Sequence, residues 1–168
     1  LSYSTVLTLW SHLKGRIFHA AEQSLSNFLA QDGRRRDFGH KIEQIRGKLQ
    51  VLKQLGYILD DEITDKGALT MKIYGYELPI SELFFSGLLD QVSDEELGML
   101  LCAVCYESKK GFRYRTPEDG RFRWLRRTVS RAVERIIRQE QGVHLEVETR
   151  PPDFRLSGAV QAWMRGSD

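Results

Sequence analysis

Cysteine is scarce in this 168-residue sequence, which holds only Cys102 and Cys105. Two cysteines cannot form the disulfide framework of a small secreted domain. Long apolar runs are also missing, because none approaches the ~20 residues that span a membrane, and the first residues do not resemble a signal peptide. These absences predict an intracellular protein, in the cytoplasm, a nucleus or an organelle, with no membrane partner.

Motifs that hold nucleotides or build catalytic sites are missing too. Neither G-x-x-x-x-G-K-[ST] nor G-x-G-x-x-G occurs. The four histidines are scattered and lack the acidic and nucleophilic neighbours of a catalytic triad. One acidic cluster lacks the spacing and the central glycine of a calcium loop, and its members are Asp60, Asp61, Glu62 and Asp65. We therefore expect no catalytic residue, no metal and no cofactor in this chain.

The two cysteines form a C-x-x-C motif, which elsewhere marks zinc or redox sites. Zinc requires four ligands, and no second C-x-x-C or histidine pair accompanies the motif. A redox pair lies at an exposed helix start, whereas Cys102 and Cys105 follow the apolar run Met99-Leu100-Leu101. This context favours two thiols buried in a hydrophobic core.

What the sequence does contain is a strong segregation of charge behind its net +2. Residues 1–58 hold nine basic side chains against four acidic ones. Residues 59–107 hold two against eleven, and residues 108–138 hold eleven against three. A basic, acidic, basic order predicts surfaces of opposite sign, of which only the basic ones suit a polyanion.

Hydrophobic periodicity predicts a mainly α-helical chain. Helical spacing runs through residues 3–30, with a break near Gly15, and from Phe38 to Gly56, which suits a left-handed C-terminal cap. Short β-branched and aromatic segments around Asp60-Asp61 then predict a small hairpin. Further helices are predicted over 65–74, 79–87, 97–106, 122–139 and 156–164. We expect the helix 97–106, which is apolar nearly all round, to be buried.

These elements suggest three segments. Residues 1–33 form a helical segment, residues 34–68 form a winged-helix-like unit that ends in the hairpin, and residues 69–168 form a partial helical bundle. Thr64 is a candidate N-cap, and Ser93 with Glu96 forms a candidate capping box. Because the chain begins with Leu1 and not Met, we expect a piece of a longer protein.

The most informative polar feature is the helix that follows Gly120. Apolar side chains recur on one face, and arginines follow the same steps on the opposite face: Arg123, Arg127, Arg131, Arg135 and Arg138. Trp124 lies near the arginine side, where an aromatic ring could stack a base. Arg113 and Arg115, set among Phe112 and Tyr114 in the preceding loop, extend the basic region. We hypothesise that these eight residues bind RNA.

Two alternatives stay open. The same arginines could form a solvated face or dock an acidic protein partner, because a charge run alone is weak evidence for nucleic acid. A winged-helix DNA binder would use a second set of cations, which face water or a partner off the apolar stripe of helix 38–56: Lys41, Arg46, Lys48 and Lys53. Those charges are sparse for reading a DNA groove.

A series of spaced motifs resembles one group of enzymes. The motifs are, in order, Leu55-Gly56-Tyr57-Ile58, Ile63-Thr64-Asp65-Lys66-Gly67, Ser81-Glu82-Leu83-Phe84-Phe85-Ser86-Gly87 and Val92-Ser93 followed by Glu95-Glu96-Leu97. Their order and spacing resemble the C-terminal, DSHCT-type region of superfamily 2 DExH-box RNA helicases. The resemblance covers residues 49–106 well and the flanking residues more loosely.

The resemblance implies a winged helix that leads into a helical bundle over the RNA path of an ATP-driven helicase. RNA and the motor domains of the same parent chain would then be its partners. ATP and Mg²⁺ would be bound by those motor domains, and this fragment alone would catalyse nothing. Residues 109–138 match no motif of the group, so an RNA role for the arginine helix depends on charge alone.

Overall fold

The computed structural model describes residues 1–23, 36–107, 116–143, 145 and 148–166, with only the backbone described at 36–38. The chain is mainly helical, as predicted, with one two-stranded antiparallel hairpin and a helical bundle. The elements are α1 Tyr3–Leu13, α2 Arg36–Gln54, β1 Ile58–Leu59, β2 Glu62–Ile63, α3 Asp65–Thr70, α4 Glu77–Phe85, α5 Asp94–Cys105, α6 Gly120–Gly142 and α7 Ser157–Met164.

Shorter helical pieces join these elements. Residues 17–23 are helical and follow α1 through the 3-10 turn Lys14–Arg16, which agrees with the break predicted near Gly15. Two further 3-10 turns lie at Leu89–Gln91 and at Phe154–Leu156. Among the described helices, none is both long and apolar enough to cross a membrane.

Packing divides the chain into two compact units. The first unit holds Leu1–Glu77 and Gln139–Val147, and the second holds Leu78–Arg138 and Glu148–Asp168. The predicted segment boundaries at 33 and 68, and the description of residues 34–68 as a winged helix, stay predictions.

In the first unit, α1 packs against α2 and buries Val6, Leu7 and Trp10. α2 ends at Gln54, two residues before the predicted end, and the predicted left-handed cap is present at Gly56, whose φ is 77°. The Tyr57 amide donates to the Leu52 carbonyl at 2.8 Å and the Gly56 amide donates to the Lys53 carbonyl at 3.1 Å. These two bonds form a Schellman motif, which satisfies carbonyls that the helix end would otherwise leave unpaired.

The predicted hairpin follows immediately and is confirmed, with Ile58 opposite Ile63 and Leu59 opposite Glu62. Both turn residues, Asp60 and Asp61, have positive φ angles of 47° and 63°, as a type I′ turn requires. The hairpin is tied to α1, because the Trp10 indole Nε1 donates to the Asp61 carbonyl at 3.1 Å. Lys53 pairs with the Asp61 carboxylate at 2.8 Å.

Thr64 caps α3 as predicted, its hydroxyl accepting the Gly67 amide at 3.2 Å. The helix ends at Thr70, four residues before the predicted end at Tyr74. The Lys72 and Ile73 amides bond to carbonyls only three residues back, and this tightening is typical of a helix that is ending. Residues 71–72 of the predicted helix therefore belong to a turn.

In the second unit, α5 packs against α7 and the 3-10 turn that precedes it. The predicted capping box is present at the start of α5, since the Ser93 hydroxyl accepts the Glu96 amide and the Glu96 carboxylate accepts the Ser93 amide. The core gathers side chains from α4, α5, α6 and the turn before α7: Leu83, Leu88, Met99, Leu100, Ala103, Val104, Phe122, Leu125, Val129, Val133 and Phe154.

The prediction that α5 is buried all round is wrong on one side. Leu101 and Cys105 are exposed, and Cys102 is half-buried, whereas Met99 and Leu100 lie in the core. α5 packs its partners on one face only, so an apolar sequence does not decide which face is covered. The partial burial raises the pKa of both thiols, which disfavours the reactive thiolate.

Two ion pairs hold the first turn of α5. The Arg165 guanidinium donates to both Glu95 carboxylate oxygens at 2.8 and 2.9 Å, and Gln161 donates to the same carboxylate at 2.6 Å. Arg121 donates to both Glu96 oxygens at 2.5 and 3.0 Å. Hydrogen bonds from Arg165 and Arg121 lower the pKa of Glu95 and of Glu96 below 4.5, the usual glutamate value.

Replacement of Gly67 by alanine should destabilise the first unit. An added Cβ would lie 2.8 Å from Ile63 Cγ2 and still closer to the Tyr57 carbonyl oxygen, which the hairpin holds in place. We expect a loss of about 1–3 kcal/mol in the free energy of unfolding, the usual cost of forcing atoms into a packed site. Urea denaturation measures it. The control is Gly39→Ala in α2, where nothing lies within 4 Å and alanine should stabilise by about 0.5–1 kcal/mol.

Acid should weaken the second unit through Glu95 and Glu96. Both pKa values are lowered by folding, so their stabilisation is complete above about pH 4.5 and is lost as pH falls through the lower folded values. The double variant Glu95→Gln/Glu96→Gln keeps a side chain suited to the capping box. It should show a smaller decrease of the thermal midpoint between neutral pH and pH 3. Asp90→Asn/Glu118→Gln, which removes two exposed carboxylates, is the control, and equal acid dependence in both variants would contradict the assignment.

Candidate nucleic-acid interface

Helix α6 carries the candidate interface and begins at a capping carboxylate. The Asp119 side chain accepts the Phe122 amide at 2.7 Å, which is the bond that an N-cap aspartate makes to the third helical residue. From there the predicted apolar stripe is confirmed. Its members are each no more than 5 % exposed: Phe122, Leu125, Val129, Val133 and Ile136.

The opposite side of α6 is basic and exposed. We define the arginine face as the exposed arginines of α6 that follow Arg121: Arg123, Arg126, Arg127, Arg131, Arg135 and Arg138. At a rise of 1.5 Å per residue, members four residues apart are about 6 Å apart along the axis, and the face is about 22 Å long. The structure thus brings together the five predicted arginines, which we call the ridge: Arg123, Arg127, Arg131, Arg135 and Arg138. Arg126 is also exposed, but it lies nearer the apolar stripe, four residues after Phe122 and three before Val129.

The arginine face has little internal charge compensation. Arg138 pairs with Glu134 one turn earlier, at 3.4 Å. For the other five arginines, no ion pair is found within the part of the chain that the structure describes. Like charges at i and i+4 on a helix repel by a few tenths of a kcal/mol per pair. A ligand with regularly spaced negative charges would remove this repulsion.

Arg121 belongs to the same helix but not to the arginine face. It pairs with Glu96 through two hydrogen bonds, and its Nη2 also donates to the Gln91 carbonyl at 2.5 Å. The hydrogen bonds that it donates to Glu96 raise the pKa of Arg121. The Arg121 guanidinium also lies over the Trp124 ring, 4.3 Å from its centroid. This arginine fixes the start of α6 to the start of α5.

Trp124, the predicted stacking residue, is half-buried and packs against the hydrophobic core of the second unit. With Arg121 over its ring, a base would have to compete for the indole face. Arg113 and Arg115 lie outside the described residues.

The cations of the DNA-binding alternative are engaged elsewhere. Lys48, expected to face water or a partner, is only 3 % exposed, donates to the Leu1 carbonyl and lies 5.0 Å from the Tyr3 ring centroid. That expectation is wrong because the aliphatic stem of a lysine packs readily under a neighbouring helix. Arg46 pairs with Glu43 at 2.9 Å, and Lys53 pairs with the turn of the hairpin.

One buried polar contact at the end of α6 was missed by the sequence analysis. Glu140 is fully buried and its Oε1 accepts the Tyr3 hydroxyl at 2.9 Å within the first unit. Position 140 continues the apolar stripe four residues after Ile136, so periodicity alone could have indicated its burial.

Within residues 1–23, 36–107, 116–143, 145 and 148–166, no group of three or more His, Cys, Asp or Glu side chains is arranged to hold a metal ion. The C-x-x-C motif therefore belongs to no such group in that part of the chain.

Comparison with known proteins agrees with this architecture. Residues 60–168 match the family model described as "DSHCT (NUC185) domain". The chain is also 30% identical over 131 residues to the DExH-box ATP-dependent RNA helicase DExH9 of Arabidopsis thaliana. That alignment covers 74% of this chain and 13% of the relative, so the chain spans a small part of the relative's length. The chain therefore belongs to the DSHCT domain family and is a DSHCT region of the kind found in DExH-box RNA helicases.

Proposed function

We propose that this chain is the C-terminal accessory region of an ATP-dependent RNA helicase, and that its arginine face binds the phosphates of single-stranded RNA. The family membership and the name of the Arabidopsis relative support the first part. ATP and Mg²⁺ would be held by the motor domains of the parent chain. The role of this region is to bind and orient the strand beside those domains, without catalysis of its own.

The observation that carries the proposal is the set of exposed arginines without ion-pair partners among the described residues: Arg123, Arg126, Arg127, Arg131 and Arg135. A guanidinium group presents a planar set of donors that matches phosphate oxygens, so a row of them suits a sugar–phosphate backbone. Each phosphate that is neutralised releases counterions, which supplies most of the binding free energy at low salt.

The core beneath α6 makes this row a rigid platform. Leu125, Val129 and Val133 are at most 1 % exposed, so the helix cannot rotate without exposing apolar area at a cost of about 25 cal/mol per Å². The guanidinium groups are thereby held on one side before RNA binds. Contacts to phosphate carry no sequence information, and we therefore assign this face to sequence-independent binding.

The proposal gives secondary roles to Trp124, Arg113 and Arg115. A base stacks on Trp124 only when Arg121 leaves its ring, so this contact belongs to a rearranged form of the start of α6. We include Arg113 and Arg115 from the sequence alone, as further phosphate contacts in the segment that leads to α6.

Removal of the ridge charges should abolish most RNA affinity. In the variant with Arg123, Arg127, Arg131, Arg135 and Arg138 changed to glutamine, we expect binding to a single-stranded RNA oligomer to weaken roughly 10²-fold at about 50 mM salt. If all five arginines contact phosphate, the slope of log affinity against log salt should become less steep by about 3.5. Fluorescence anisotropy titrations at about 50 and 200 mM salt measure both quantities.

A matched control removes five cations elsewhere: Lys14, Arg46, Lys53, Arg150 and Arg155 to glutamine. It lowers the net charge equally and should leave the salt slope within about one unit of the wild type. The ridge variant should keep its thermal midpoint, because glutamine is a good helix former and relieves repulsion. Unchanged RNA affinity in the ridge variant would contradict the proposal that the arginine face binds RNA. If that variant instead loses binding to a poly-glutamate peptide and not to RNA, the arginine face is a docking site for an acidic protein.

A further inference from the structure

The turn between α3 and α4 exposes two aromatic side chains. Tyr74 is fully exposed and Tyr76 is 40 % exposed. A single exposed aromatic residue is ordinary on a protein surface. Two tyrosines separated by one glycine in a short turn indicate a candidate ligand surface more strongly than one does. Each ring adds apolar area that folding leaves in contact with water.

The backbone of this turn is strained at the second tyrosine. Gly75 has a φ of 76°, which costs a glycine little, but Tyr76 follows with a φ of 55°. The left-handed region is unfavourable for a bulky side chain. Strained residues persist when the surroundings hold them in place, and they are concentrated at ligand-binding sites and switches. Glycine at position 76 would remove the strain, and the chain has tyrosine there.

The exposed charged side chain beside the rings is a cation, although the longer stretch 59–107 is acidic. Within residues 71–77, Lys72 is exposed, whereas the one carboxylate, Glu77, is buried and accepts the Ser4 hydroxyl at 3.0 Å. The turn thus offers two aromatic rings and one cation, with its acid turned into the first unit. Aromatic rings beside a cation are the elements with which proteins bind single-stranded nucleic acid, the rings stacking bases and the cation contacting phosphate.

We propose that the turn of residues 72–76 is a second contact for single-stranded RNA, in which Tyr74 and Tyr76 stack on bases and Lys72 contacts a phosphate. The inference rests on the proposed function in taking the same RNA as its ligand. Its chemistry is different, because stacking requires bases and is almost independent of salt, whereas the arginine face requires only phosphates. This difference makes the two contacts separable by experiment.

The test compares Tyr74→Leu/Tyr76→Leu with Tyr74→Phe/Tyr76→Phe in the 168-residue chain. The leucine pair keeps apolar side chains but removes the aromatic rings, and should bind an oligoadenylate about 10–100-fold more weakly. The phenylalanine pair keeps the rings and should bind within about twofold of the wild type. Neither pair should change the salt slope. On an abasic ribose–phosphate strand, the leucine pair and the wild type should bind equally.

Two further variants separate stacking from folding and from general surface aromaticity. Trp163→Leu removes an aromatic side chain that is 74 % exposed on α7, and should leave affinity unchanged. Tyr74→Leu alone changes a side chain that is fully exposed, so it should leave the thermal midpoint unchanged while it weakens binding to oligoadenylate. A loss of affinity at an unchanged thermal midpoint supports the inference, because unfolding cannot produce that combination.

The results distinguish the two contacts. If the leucine pair binds oligoadenylate like the wild type while the ridge variant binds weakly, the stacking inference is wrong and the proposed function stands. If the ridge variant keeps its salt slope while the leucine pair binds weakly, the proposed function of the arginine face is wrong and the stacking contact stands. Equal losses in the leucine and phenylalanine pairs would also overturn stacking, since they would assign the effect to the hydroxyl groups.

Discussion

The burial of one stripe of α6 is the interaction on which the candidate interface depends. A helix has a fixed angular step, so once Leu125, Val129 and Val133 are placed in a core, the direction of every other side chain on that helix is determined. Packing free energy, and not attraction to a ligand, therefore holds the arginines together on one side. The repulsion between them, a few tenths of a kcal/mol per neighbouring pair, is small beside the roughly 1.5–3 kcal/mol gained for each buried aliphatic side chain.

The segregation of charge in the sequence suggests an acidic surface, but several of the acidic residues instead form ion pairs at helix ends. Glu95 and Glu96 lie in the acidic stretch of residues 59–107, and they pair with Arg165 and Arg121 at the start of α5. Neither partner belongs to the arginine face. In the described residues, the acidic segment is used to fasten helix ends and the hairpin turn, as with Asp61 and Lys53. Glu95 and Glu96 are therefore paired with arginines outside the arginine face.

Local signals in the sequence were sufficient to predict much of the fold. The Schellman glycine Gly56, the Thr64 cap, the Ser93–Glu96 capping box and the apolar stripe of α6 each depend on residues within a few positions of one another, and all are confirmed. The failures concern contacts between distant segments. Lys48 is covered by the N-terminal residues, and Cys105 lies on an exposed face of α5. Arg121 over Trp124 was also beyond prediction, because its position depends on Glu96, 25 residues away.

The hairpin has a consequence for self-association. Each of its strands is two residues long and its turn carries two carboxylates, Asp60 and Asp61. An open strand edge recruits other chains through its row of unpaired backbone groups, and a short edge beside charged residues offers few of them. An unfolded chain that pairs with this strand edge could form only a few backbone hydrogen bonds. The hairpin thus offers little template for amyloid-like growth.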